Sequence, residues 1–434
     1  MKSIRVGIAG LGTVGAGTVN ILNKNADEIA RRIGCPIAIT HVGARRDNPA
    51  CDLGQIRVSR DIMDVARDPQ VDILVELIGG TVDARKLVLT AIEHGKHVVT
   101  ANKALIAEHG NEIFAAAHAR GVDIAFEAAV AGGVPILKAL GEGLAANRIK
   151  WVAGIINGTG NFILTEMRDK GRAFAEVLEE AQALGYAEAD PTFDVEGIDA
   201  AHKLTILASI AYGIPLQFSK VYTEGISRLT REDIQAAEQF GYRIKHLGIA
   251  KDTGAGIELR VHPTLIPHSV LLASVNGVMN AVMVDGDAVG PTLFYGAGAG
   301  AGPTGSAVVA DIIEMGRALT IDHDMRVPYL GFHSDLLSSH PVLPIDDVVC
   351  PFYLRMHVLD RTGVLADITR LLSEHNISIE AMYQKDVDNN QAVPIMMMTH
   401  AVCEREINAA LTKIAALDAV LDDIVRIRVE LLKA

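Results

Sequence analysis

Apolar and polar positions follow two rhythms along this chain, and the change between them divides it. Residues 4–9 are a short apolar run bounded by glycine, the pattern of a buried strand. A helical rhythm follows over 13–33. Short apolar runs at 36–42, 71–78, 97–101 and 122–127 then alternate with amphipathic stretches that include 84–94 and 105–120. Strands alternating with helices pair in parallel, so residues 1–130 predict a doubly wound α/β sheet.

Beyond Val130 the rhythm breaks up. Glycine-rich turns come first, then helical stretches at 174–184 and 197–212. Strand-like segments return at 256–263 and 270–284. The side-chain-poor run 296–306 precedes a helix over 307–318. This is the texture of an α+β unit over 131–320. Residues 321–350, irregular and holding prolines and histidines, predict a linker. From 351 to 434 the order is strand 353–358, helix 363–375, strands 377–384 and 393–399, helix 404–416 and strand 424–431. That is a βαββαβ module.

Composition narrows the function. A chain of 434 residues is too long for one ordinary domain, which agrees with the three units. Hydrophobic residues at 49% and charged residues at 21% suit a globular enzyme. A net charge of -13 argues against a nucleic-acid partner, because phosphate binding wants a basic face. Cys35, Cys51, Cys350 and Cys403 lie far apart, with no CxxC and no zinc-like spacing. Reduced thiols in a reducing compartment are expected. No run has the length and lack of charge to span a bilayer, so a cytoplasmic protein with no membrane partner is expected.

The first candidate chemistry is Gly10-Leu11-Gly12-Thr13-Val14-Gly15, between a strand and a helix. Gly10 permits the tight turn. Gly12 lets a pyrophosphate approach the backbone, and Gly15 lets the helix pack on the strand. Free N–H groups at the helix start favour the anion. In this context the turn predicts a dinucleotide site of Rossmann type. The next strand ends in Val42-Gly43-Ala44-Arg45-Arg46, with no acid before Asp47. Arg45 or Arg46 could hold a 2′-phosphate, so NADP is favoured and NAD stays open. Ordinary solvated arginines give the same pattern.

The second is the segment GYAEADPTFDVEGIDAAHKL at 185–204. Asp199 and Lys203 are four apart and share a helix face. A buried lysine beside a carboxylate can carry a proton to or from a substrate oxygen. Spacing alone describes an exposed ion pair equally well, and that is the commoner case. The apolar neighbours Ile198, Leu204, Ile206 and Leu207 favour burial.

This segment resembles the signature of homoserine dehydrogenases. VELIGG (75–80), VVTANKALIA (98–107), FEAAVAGGVPIL (126–137), GIINGTGNFIL (154–164), the glycine run 296–305 and SAVVADI (306–312) agree with it in order. The resemblance implies interconversion of L-homoserine and L-aspartate 4-semialdehyde with a nicotinamide dinucleotide. It implies Lys203 as general acid/base and Asp199 as its partner. Glu188 would hold the substrate ammonium, and Gly158, Thr159, Tyr186 and Asp194 would line the substrate pocket. Thr100, Lys103 and Gly300 would lie against the cofactor. Glu127, Val130, Gly132 and Val134 would hold Na⁺ or another monovalent cation, mostly through backbone carbonyls.

Residues 354–379, LRMHVLDRTGVLADITRLLSEHNISI, resemble an ACT domain. That implies a threonine effector near Asp360, Gly363 and Asn376, or else a pairing module without a ligand. A homodimer or homotetramer is expected. Two other functions remain in view: a different Rossmann amino-acid dehydrogenase or semialdehyde reductase, and a non-enzymatic NAD(P) sensor. A thioester-forming reductase needs a nucleophilic cysteine, and neither Cys35 nor Cys51 stands in such a setting. A sensor has no need of Lys203, Asp199 and Glu188 together.

Overall fold

The structure is a computed structural model that describes residues 3–319, 326–384 and 392–433. Its N-terminal unit starts with β1 (Ile4–Ala9), α1 (Thr13–Lys24), α2 (Ala26–Ile33), β2 (Ile37–Gly43) and β3 (Arg57–Ser59). It continues with α3 (Ile62–Arg67), β4 (Ile73–Glu76), α4 (Val82–Glu93), β5 (His97–Thr100), α5 (Lys103–Arg120) and β6 (Ile124–Ala125). The six strands are parallel, in the order β3-β2-β1-β4-β5-β6. Strand order reverses between β1 and β4, which opens a crevice at their carboxyl ends.

The helix expected over 13–33 is two helices. Asn25, at φ -108° and ψ 20°, leaves the helical region between them, as a side chain that competes for backbone hydrogen bonds allows. β3 and α3 were not expected: a three-residue strand is too short to show alternation. The strand expected over 122–127 keeps only β6, and Glu127–Ala129 forms a 3₁₀ turn.

The second unit runs through α6 (Ile136–Lys138), β7 (Ile149–Ile155), α7 (Gly158–Lys170), α8 (Phe174–Ala183), α9 (Thr192–Val195) and α10 (Ile198–Tyr212). Then come β8 (Tyr222–Thr223), α11 (Arg231–Gln239), β9 (Tyr242–Asp252), β10 (Ile257–Pro267), β11 (Met279–Gly286), β12 (Gly290–Ala297) and α12 (Ala301–Ala318). α10 is buried nearly throughout, against β7, β9 and β10 on one side and α5 on another. α12 starts inside the glycine run and packs on α1. A Cβ on Gly17 would stand 2.2 Å from the Ala301 carbonyl oxygen, so the low side-chain bulk on both helices is what lets them cross.

The remainder comprises β13 (Val349–Cys350), β14 (Phe352–Leu359), α13 (Val364–Glu374), β15 (Ile379–Gln384), β16 (Ala392–Thr399), β17 (Val402–Cys403), α14 (Glu404–Ala415) and β18 (Val425–Val429). The βαββαβ order holds, with β13 and β17 forming a small extra ladder. This unit's sheet is continuous with that of the second unit. β18 pairs parallel to β10 at Thr264↔Arg428 and Leu265↔Val429, giving one ten-stranded sheet. The expected linker is ordered where it is described: Ile257 exchanges backbone hydrogen bonds with Pro341 and Leu343 at 2.8 and 2.9 Å. Residues 320–325, at its start, lie outside the described residues. Among the described residues no helix is long and apolar enough to cross a membrane.

Candidate active site

Gly10 turns the chain at φ +102°, where a Cβ would strike the Leu77 carbonyl oxygen at 2.4 Å. A Cβ on Gly15 would lie 2.2 Å from the Gly10 carbonyl oxygen, so only glycine lets α1 seat on β1. Gly12 caps α1 with no side-chain hydrogen bond, and nothing lies within 4 Å of its missing Cβ. The open helix start therefore keeps unpaired N–H groups and room for an anion. Leu11 is buried beneath the turn, while Thr13 is exposed and Val14 half-buried. The residues present fit a dinucleotide pyrophosphate.

Arg45 and Arg46 follow β2 and are exposed. Among the described residues Arg45 reaches only Asp83, at 3.9 Å. Asp47 pairs with Arg60 at 2.8 Å on the exposed surface. Thr100, at the end of β5, is buried, and its hydroxyl donates to Glu76 at 2.6 Å. That hydroxyl is committed inside the sheet.

Three residues further on, α5 begins with Lys103, whose ammonium reaches α10. There Asp199 is 4% exposed and Lys203 9% exposed, so the pair is not a surface ion pair. The Lys203 ammonium donates to Asp199 Oδ2 at 2.6 Å and to the Ile156 carbonyl at 2.7 Å. Two of its three donors are used, which leaves one. The other oxygen of Asp199 meets Lys103 Nζ at 3.0 Å. One carboxylate thus joins the end of the parallel sheet to the buried helix. Burial and the Lys103 charge push Lys203 below the ordinary lysine range, and Asp199 only partly restores it. Burial also pulls Lys103 down, but Asp199, Asp194 and Glu188 outweigh it and raise it overall. Burial pushes Asp199 up, yet the two lysines hold it well below the usual carboxylate range.

Of the predicted substrate residues, Asp194 is tied to this triad through Asn157. Thr159 is buried and its hydroxyl donates to the Tyr186 carbonyl at 2.5 Å. Gly158 opens α7, where a Cβ would stand 2.7 Å from the Val278 carbonyl oxygen. Tyr186 and Glu188 are exposed at the rim. Asp194 is half-buried and raised by burial, opposed by Asn157. Gly300 caps α12 at φ +117°.

Asn157 went unassigned from the sequence. Its amide donates to Asp194 at 2.8 Å and Asp199 at 2.9 Å, while its oxygen caps α7 through the Gly160 N–H at 2.7 Å. The signal was present: an Asn before a small-residue helix start is an N-cap pattern. Glu76 was missed too, because a fully buried acid inside a strand has no sequence signature.

Around the predicted cation residues, Glu127 accepts the Leu137 and Lys138 N–H groups at 2.9 Å each. Burial raises it. Val130 and Gly132 are buried, and their carbonyls accept no hydrogen bond among the described residues. The Val134 carbonyl accepts from Ile136 at 2.8 Å. Orphaned buried carbonyls beside a carboxylate fit a hard cation. No cluster of three or more His, Cys, Asp or Glu with metal-binding geometry occurs among the described residues.

The expected effector residues are not brought together within one chain. Asp360 and Gly363 precede α13, and Asn376, at φ +55°, follows it. At 1.5 Å per residue the helix keeps the two ends about 16 Å apart. The resemblance to an ACT domain had implied one effector near all three.

Comparison with known proteins gives three family matches. "Homoserine dehydrogenase" covers residues 135–313, "Homoserine dehydrogenase, NAD binding domain" covers 10–127, and "ACT domain" covers 352–419. The chain is 62% identical over 431 residues to a homoserine dehydrogenase of Pseudomonas aeruginosa, covering 99% of each. It is similar to the crystal structure of a homoserine dehydrogenase from Thiobacillus denitrificans, with TM-score 0.94, 59% identity and coverage of 100% of this chain and 99% of that one. A hyperthermophilic archaeal homoserine dehydrogenase in complex with NADPH matches 74% of this chain and 99% of its own length, at TM-score 0.62 and 25% identity.

Proposed function

The chain belongs to the homoserine dehydrogenase family, oxidoreductases acting on a CH–OH group with a nicotinamide cofactor, and from that premise we propose that it interconverts L-homoserine and L-aspartate 4-semialdehyde with Lys203 as general acid/base. The reaction serves threonine, methionine and isoleucine biosynthesis. The observation that carries this reading is the division of Asp199 between Lys203 and Lys103.

Oxidation of homoserine removes a hydride from its C4 carbon and a proton from the hydroxyl on it. The nicotinamide, when bound, accepts or returns the hydride. Lys203, pushed down by burial, takes the hydroxyl proton in its neutral form and gives it back to the aldehyde oxygen in reduction. Asp199 stabilises the ammonium so formed. Lys103, raised and charged, steadies negative charge developing on the same oxygen. Glu188 holds the substrate ammonium, with Gly158, Thr159, Tyr186 and Asp194 around it.

Gly10 to Gly15 hold the pyrophosphate, and Gly300 approaches backbone to backbone. Thr100 can contribute only its backbone, since its hydroxyl serves Glu76. Arg45 and Arg46 favour NADP, supported by the NADPH complex of the archaeal relative. Glu127, Val130, Gly132 and Val134 hold Na⁺ or a similar monovalent ion, supported by the orphaned carbonyls. Threonine feeds back through the C-terminal unit. The protein works as a homodimer or homotetramer in the cytoplasm.

Absorbance at the nicotinamide band tests the reading. L-homoserine with NADP⁺ should raise it, and with NAD⁺ should raise it more slowly. No rise with either cofactor would contradict the assignment.

A further inference from the structure

One buried acid of the parallel sheet has no part in the proton transfer. Glu76, the last residue of β4, is 0% exposed and stands opposite Ala9 of β1 and Thr100 of β5. That is the point where strand order reverses. Burial raises it, and the hydrogen bonds it accepts pull it back. A carboxyl group taken out of water needs each of those bonds.

Its two oxygens serve two segments. Oε1 accepts the Ile78 N–H at 2.8 Å and the Gly79 N–H at 3.3 Å. This gathers residues 77–80 beside the Gly10 turn, where the Leu77 N–H donates to the Ala9 carbonyl at 2.8 Å. Oε2 accepts the Thr100 hydroxyl at 2.6 Å, and the oxygen of that hydroxyl accepts the Asn102 N–H at 3.0 Å. The Asn102 side chain caps α5 through the Leu105 N–H at 3.1 Å and donates to the Gly80 carbonyl at 2.6 Å. The two arms thus close on each other at Asn102. Lys103, the next residue, opens α5 and meets Asp199 at 3.0 Å.

We propose that Glu76 is a positioning residue: through Thr100 and Asn102 it fixes the start of α5, and with it the place of the Lys103 ammonium against Asp199. The inference rests on the reading of Lys203 as general acid/base and goes beyond it, since nothing in that reading uses Glu76. Lys203 faces Asp199 on its own helix, Lys103 on α5 and Asp194 on α9. Lys103 lowers Lys203, whereas the two carboxylates raise it. A Lys103 that drifts from Asp199 gives up part of that lowering and frees Asp199 for Lys203. Both changes move Lys203 upward. Homoserine oxidation needs the neutral amine, so its rise moves to higher pH.

The test is the pH dependence of kcat for homoserine oxidation by the full chain with saturating NADP⁺. Glu76→Gln, Thr100→Val, Thr100→Ser and Lys103→Met are compared with the native chain. In Glu76→Gln the Thr100 hydroxyl loses its acceptor, and in Thr100→Val the link itself is gone. Both should lower kcat at neutral pH about tenfold and move the inflection up by about half a unit or more. Lys103→Met should move it furthest in the same direction. Thr100→Ser, which keeps the hydroxyl, should hold the native inflection. Hydrogen exchange of the cofactor-free chain, read by mass spectrometry, should quicken over 102–107 in Glu76→Gln and Thr100→Val and stay native in Thr100→Ser. A fall in kcat with the inflection unmoved in both would leave Glu76 a merely structural acid and overturn the proposal, as would a native profile in both. If Lys103→Met alone shifts the inflection, only the Glu76 link fails. If the native chain does not oxidise homoserine, or Lys203→Ala keeps the inflection, the catalytic reading fails with it.

Discussion

Two regions of this molecule bury cations against carboxylates, and they use different cations. At the catalytic helix the cations are Lys203 and Lys103, sharing Asp199. At the junction with the C-terminal unit they are Arg428 and Arg260. Arg428 grips Glu404 through Nε at 2.8 Å and Nη2 at 2.5 Å, with Glu224 on its third nitrogen. Arg260 bonds Glu258 at 2.8 Å and Glu430 at 2.5 Å. An arginine keeps its proton at any working pH and matches a carboxylate with a planar fork, so it fixes geometry. A lysine is a point charge whose proton burial can loosen. Burial and neighbours move Lys203 down and leave Lys103 up. Both Arg428 and Arg260 are only raised by their partners, against the pull of burial. One cluster suits the proton transfer proposed for it, and the other ties two units together.

Substitutions can break that comparison. The largest effect is expected for Lys203→Ala, which removes the proposed proton carrier. Its kcat should fall by about three orders of magnitude, while NADP⁺ binding, read by cofactor fluorescence quenching, stays near native. A loss of only a fewfold would mean that the lysine has no chemical role.

Next comes Arg428→Met. It leaves Glu404, 1% exposed, without its bidentate partner and with Arg426 alone at 2.8 Å. Breaking a buried pair from one side costs about 3–5 kcal/mol. Denaturant melts should shift accordingly. An unchanged melt would show that the junction is not held by this pair.

The subtlest is Asp199→Asn. Its negative charge opposes the burial that lowers Lys203, so removing it lowers Lys203 further. Homoserine oxidation needs the neutral amine and therefore rises with pH through the Lys203 pKa. The inflection should move to lower pH in this variant. A shift to higher pH would reverse the electrostatic argument.

The parallel sheet was legible because its signals are local. Short apolar runs, helical periodicity and the Gly10–Gly15 turn each sit within a few residues. The second unit hid more. β9 carries Lys245, His246 and Gly248 among its buried positions, so its alternation does not read as strand. α7 opens with Gly158 and Gly160, which mimic a loop until Asn157 is seen as its cap. Within the site, Asp199 and Lys203 were legible as helical neighbours. Their burial was not, because spacing cannot separate a surface pair from an interior one. The arrival of Lys103 at the same carboxylate depends on how α5 and α10 cross, and no window of sequence contains that. The continuity of β10 with β18 was equally invisible, since it pairs strands from two units far apart in sequence.

The pH dependence of kcat for homoserine oxidation, measured side by side in the native chain and in Lys203→Ala, probes the movable proton most directly. The native profile should rise through an inflection below the ordinary lysine value of about 10.4, and that inflection should vanish in the variant, leaving a slow, flat rate. An inflection that persists at the same pH after the lysine is gone would assign the proton to another group and contradict the division between lysine and arginine drawn above.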